Sequence, residues 1–89
     1  MLNKSDFNLT RIDKDFEDYW FSVSGDSAAY LTDKYMEQSM VTVSEVVYSK
    51  REDKLGIKRL FPFNYDVITP SDEELRAIVT GLINGGNHE

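Results

Sequence analysis

Residues 69–86, TPSDEELRAIVTGLINGG, limit this chain more than any other stretch. Leu75, Ile78, Val79, Leu82 and Ile83 recur at i, i+3, i+4, i+7 and i+8, which lines one side of an α-helix with apolar groups. Thr69 or Ser71 can cap its start, Pro70 suits a first helical position, and Ser71 with Glu74 fits a capping box. Gly85 and Gly86 mark the stop. A stripe of five aliphatic side chains is worth burying only against another element. The preceding residues must therefore supply the receiving surface.

They read mainly as strands. Phe7–Ile12 and Asp18–Ser24 form a first pair around an acidic turn, and Met40–Ser49 and Ile57–Tyr65 a second pair around Lys50–Gly56. A helix over Ser44–Leu55 rivals the third strand, but its run of valines and threonine favours β structure. Asp26 or Ser27 could cap a second short helix over 27–39, whose stripe of Ala28, Leu31 and Tyr35 is thin. The expected architecture is a single α+β domain spanning 1–89. In it, a small antiparallel sheet of about four strands, in two hairpins, is packed by the C-terminal amphipathic helix. Pro62 lacks a backbone donor, so its strand belongs at an edge or at a bulge.

Alternation assigns the faces. Odd positions, including Tyr19, Phe21, Val23, Val41, Val43, Val47, Ile57, Phe61, Phe63 and Tyr65, are expected to face the core. Even positions should then be polar, yet Trp20, Met40, Val46, Tyr48 and Leu60 are not. These five form the candidate partner-binding surface, to be covered by the 27–39 helix, a second copy of the chain or another protein.

Charge offers an alternative. The chain carries −6, yet residues 50–59 hold Lys50, Arg51, Lys54, Lys58 and Arg59 against two acids, a local +3 that leaves −9 elsewhere. Those five basic residues, beside Tyr48 or Tyr65, make a candidate nucleic-acid-binding hairpin, opposed by the overall acidity. Two acidic clusters, Asp13–Asp18 and Asp72–Glu74, suit a basic protein surface instead.

Enzymatic chemistry finds little footing. The chain has no cysteine, and its one histidine, His88, is next to the last residue. The acidic run from Asp13 loosely resembles the start of a calcium loop, but the sixth place is Asp18 rather than glycine and the twelfth is Ser24 rather than glutamate. No cofactor or metal is expected. No apolar run is long enough to span a membrane, and MLNKSDFNLT lacks the apolar core of a signal peptide, so a cytoplasmic location is expected. The sequence points to a small acidic, non-enzymatic protein-binding or regulatory/inhibitor module of microbial or phage type. Its partner is another protein or a second copy, with nucleic acid as the alternative and no membrane.

Overall fold

The computed structural model describes residues 2–35, 43–60 and 65–85, with the backbone alone described at 59, 60 and 65–68. Five strands, β1 (Phe7–Asp13), β2 (Asp18–Val23), β3 (Val43–Ser49), β4 (Lys54–Leu60) and β5 (Tyr65–Ile68), form one antiparallel sheet in sequence order. Helix α1 (Gly25–Tyr35) lies between β2 and β3 in the chain, and α2 (Glu73–Gly85) follows β5. The α+β architecture and the packing of the C-terminal helix on the sheet are as the sequence predicts.

Both hairpins close on four-residue loops, 14–17 and 50–53, between the pairs Asp13↔Asp18 and Ser49↔Lys54. Each loop ends on a left-handed residue, Glu17 at φ 57° and Asp53 at φ 55°. The residue before each loop ties it from the side chain. Asp13 Oδ1 accepts from the backbone N–H of Asp15 and Phe16, and Ser49 Oγ accepts from that of Glu52. The second turn is therefore shorter than the expected 50–56, and β4 gains Leu55, which is buried.

The predicted strand 57–65 is two strands, since β4 ends at Leu60, β5 begins at Tyr65 and these two residues pair with each other. Pro62, expected at an edge or a bulge, lies outside the described residues. The expected core positions Val41, Phe61 and Phe63 lie outside the described residues, as does Met40.

The core sits on one side of the sheet. Phe21, Val43, Val46, Ile57, Leu31, Leu75 and Val79 are each at 0% exposure and belong to one cluster. Because Leu31 and Ala28 of α1 share that cluster with Leu75, Val79 and Ile83 of α2, both helices cover the same face. The expectation that the 27–39 helix might cover Trp20 is thereby corrected. Its apolar residues are spent on the core, and nothing among the described residues lays a helix on the opposite face.

The chain before β1 joins the helices. Leu2 is buried in the core, and Ser27 Oγ both accepts from Asn3 N–H at 2.8 Å and donates to Asn3 O at 3.3 Å. Asp6 caps α1 through Ser27 N–H at 3.1 Å. At Gly25 φ is +62°, so a side chain there would be strained, and its Cβ would crowd that same Asp6 carboxylate at 3.1 Å.

Helix α2 is capped by Asp72 rather than Thr69 or Ser71. Asp72 Oδ1 accepts from Leu75 N–H at 3.0 Å, and Asp72 O accepts the first helical bond from Arg76 N–H. The other carboxylate oxygen receives Tyr35 Oη at 2.6 Å and Lys34 Nζ at 3.0 Å from α1. A single buried acid thus ends one helix and ties down the other.

Candidate functional site: the open sheet face

Cross-strand partners share a face, so the register identifies what lies opposite the helices. The row Phe21↔Val46↔Ile57 is core, and so is Tyr19↔Tyr48↔Leu55. The rows between them point away. The central one is Arg11↔Trp20↔Val47↔Gly56. On one side of it stands Asn8↔Ser22↔Glu45↔Lys58, and on the other Asp13↔Asp18↔Ser49↔Lys54.

Two bulges produce this arrangement. In β3, Val43 pairs with Arg59 and Glu45 with Lys58, so two residues advance against one and Ser44 is extra. In β1, Leu9 pairs with Phe21 and Arg11 with Trp20, so Thr10 is extra, and its hydroxyl donates to Trp20 O at 3.2 Å. Each bulge moves a charge off the core side. Unbroken alternation from Val43 would turn Glu45 under the helices, where an unpaired carboxylate costs several kcal/mol. The bulge sets it on the open face instead, 3.4 Å from Lys58. Likewise Arg11 goes to the open face, where its guanidinium lies 4.3 Å from the centre of the Trp20 ring.

Within β3 the parity argument is therefore right before Ser44 and wrong after it, while in β4 Ile57 is in the core as expected. Trp20 is on the open face, half-buried, as expected. Val46 and Tyr48 are not. Val46 is fully buried and Tyr48 nearly so, both beneath the helices. Val47, expected in the core, takes their place beside Trp20. Met40 and the side chain of Leu60 lie outside the described residues.

The basic residues do not gather into one patch. Lys58 is on the open face with Glu45, and Lys54 stands at the sheet's end, 3.9 Å from Glu52. Arg51 donates to Asp15 O at 2.8 Å and the backbone N–H of Lys50 donates to Glu17 O at 2.9 Å, which joins the basic hairpin tip to the acidic one. The side chain of Arg59 is outside the described residues. Of the acidic clusters, Asp13 and Asp15 belong to that joined tip, whereas Asp72 is consumed as a cap.

The second tip is anchored to α2. Tyr48 donates its hydroxyl to Asp53 Oδ1 at 2.5 Å, and Arg76 reaches Asp53 Oδ2 at 2.5 Å. The Tyr48 hydrogen bond, joined by Arg76 and opposed by some burial, holds the Asp53 carboxyl below the usual range, while the same bond pushes Tyr48 up. A cavity of about 130 Å³ lies beside this anchor, lined by Tyr48, Lys50, Thr80, Ile83 and Asn84.

Among the described residues no cluster of three or more His, Cys, Asp or Glu side chains could hold a metal, and no helix is long and apolar enough to cross a membrane. No protein-family model, no curated protein and no solved structure matches the chain.

Proposed function

We propose that the protein is a non-enzymatic protein-binding module whose docking surface is the open sheet face centred on Trp20. One observation carries this reading: both helices pack on the same side of the sheet, leaving Trp20, Arg11 and Val47 adjacent on the other. Tryptophan and arginine are the residue types most enriched where protein interfaces concentrate their binding energy. Here the two are stacked across the paired strands β1 and β2, which hold both backbones in place, so less ordering entropy opposes contact. The surrounding positions are polar or charged in both signs, the composition of an interface rim.

The test places a photo-crosslinking amino acid at position 20 and, as control, at Ala29, an exposed position on α1. Cells of the source carrying each variant are irradiated and the adducts identified. Position 20 is expected to give a defined protein adduct and position 29 none. A folded position-20 variant that captures no protein, itself included, ends the reading.

A further inference from the structure

We infer that the occupant of the open face is a second copy of this chain, docked sheet to sheet about a two-fold axis that runs along the strands between β2 and β3. This rests on the reading of that face as a docking surface and names its partner.

The argument is self-complementarity. A two-fold axis in that position keeps each row on itself and lays β1 over β4 and β2 over β3 of the other copy. In the central row, Trp20 then meets Val47 of the second copy, twice. Arg11 falls over Gly56 of the second copy, which carries no side chain and no charge of its own. In the row at the hairpin end, Asp13 meets Lys54 of the second copy, again twice. In the remaining row, Ser22 meets Glu45 and Asn8 meets Lys58. No like charges are opposed.

The other two-fold that stacks the sheets runs across the strands, and it fails on charge. It exchanges the outer rows and sets Lys54 over Lys58 of the second copy at two places. Charge therefore selects between the two arrangements. The axis along the strands also suits aligned sheet packing, with sheets about 10 Å apart.

Four strands spaced about 4.8 Å apart and about 20 Å long offer about 400 Å² per copy. About 800–1,000 Å² in total is the size of a weak, reversible contact rather than an obligate one. The free chain is accordingly a folded monomer in equilibrium with a dimer.

Sedimentation velocity over about 5–500 µM, at about 0.15 M salt where charges beyond roughly 8 Å are screened, reads this directly. The mass is expected to rise with concentration from the 10.3 kDa monomer toward twice that value. Lys54→Glu should weaken association about tenfold, since each of two attractions becomes a repulsion. Adding Asp13→Asn should recover about half of the loss, because it removes the repulsion without restoring the attraction, while asparagine keeps the side-chain oxygen that ties the first turn. A single 10.3 kDa species at every concentration overturns the inference, as does association that Lys54→Glu leaves unchanged or strengthens. If the position-20 crosslinker captures a different protein and the chain stays monomeric, self-pairing is refuted while the docking surface stands.

Discussion

Val46→Asp is expected to abolish folding, and Val47→Asp to leave it largely intact. The two valines are neighbours in sequence, and identical substitutions should differ because the bulge at Ser44 turns one inward and the next outward. Val46 is fully buried among Phe21, Ile57 and the helices, with no basic group in the core cluster to receive a carboxylate. Burying that charge, or opening the core to hydrate it, costs on the order of 5 kcal/mol, comparable to the whole stability of a domain this small. Val47 is half-buried on the open face, where an aspartate keeps access to water and loses about 1 kcal/mol of apolar contact and strand propensity. Urea unfolding followed by circular dichroism separates the outcomes. Equal losses for the two variants would refute the register.

The second large effect belongs to Asp72, since its one carboxylate serves three donors on two helices. Asp72→Ala should cost about 2–3 kcal/mol, combining a lost helix cap with a half-buried Tyr35 hydroxyl left without its acceptor. Asp72→Asn should cost less, because the amide oxygen can still accept from Leu75 N–H. The pH dependence follows from the same contacts. Burial raises the Asp72 pKa, but hydrogen bonds from Tyr35, Leu75 N–H and Lys34 outweigh it and hold the carboxyl below its usual value. A carboxyl depressed in the folded state contributes stability that is present above its unfolded pKa of about 3.9 and lost as pH falls through the folded value. Burial and the bond to Asp72 push Tyr35 up to about 12. Its contribution is full below about 10, the unfolded pKa, and is lost as pH rises through about 12. Stability should thus fall at both extremes in the wild type; in Asp72→Asn the acid limb should flatten, while the alkaline limb should only lessen because burial, the larger cause at Tyr35, remains. An unaltered pH profile in that variant would remove the network from the account.

How much of this was legible from the residues alone depends on where the signal was local. The stripe from Leu75 to Ile83 determines α2 without help, because the helical period lies within the segment. β2 was equally plain, since Tyr19, Phe21 and Val23 alternate with nothing opposing them. The cap on α2 was misassigned because Thr69, Ser71 and Asp72 are all good capping residues, and the choice is made by Tyr35 and Lys34, distant in sequence. The face assignment of β3 failed for a more instructive reason. Val46 and Val47 are both apolar, so hydrophobicity cannot say which is inside, and simple alternation chose the wrong one. The clue was Glu45. Continued odd parity would have placed a carboxylate in the core, and that conflict implies a bulge between Val43 and Glu45. Arg11 carried the same message in β1, since it sits two places after Leu9 on a parity that leads inward. Charged residues on an apparent core parity are therefore as informative about register as the apolar ones.

The described basic side chains of residues 50–59 are spread along the hairpin. Lys54 and Lys58 lie on the open face two rows apart, each beside an acid, and Arg51 is already engaged by the acidic tip. What the sequence could show was a clustering in number; the pairing of the strands disperses it in space.

The account depends most on Trp20 and Val47 standing side by side on the face away from the helices. In a nuclear Overhauser spectrum of the monomer, the Trp20 ring protons should show strong contacts to the Val47 methyls and to the Arg11 side chain, and none to those of Val46. Strong contacts from Trp20 to Val46, with Val47 instead touching Leu75 or Val79, would contradict the register, the open face and the pairing built on it.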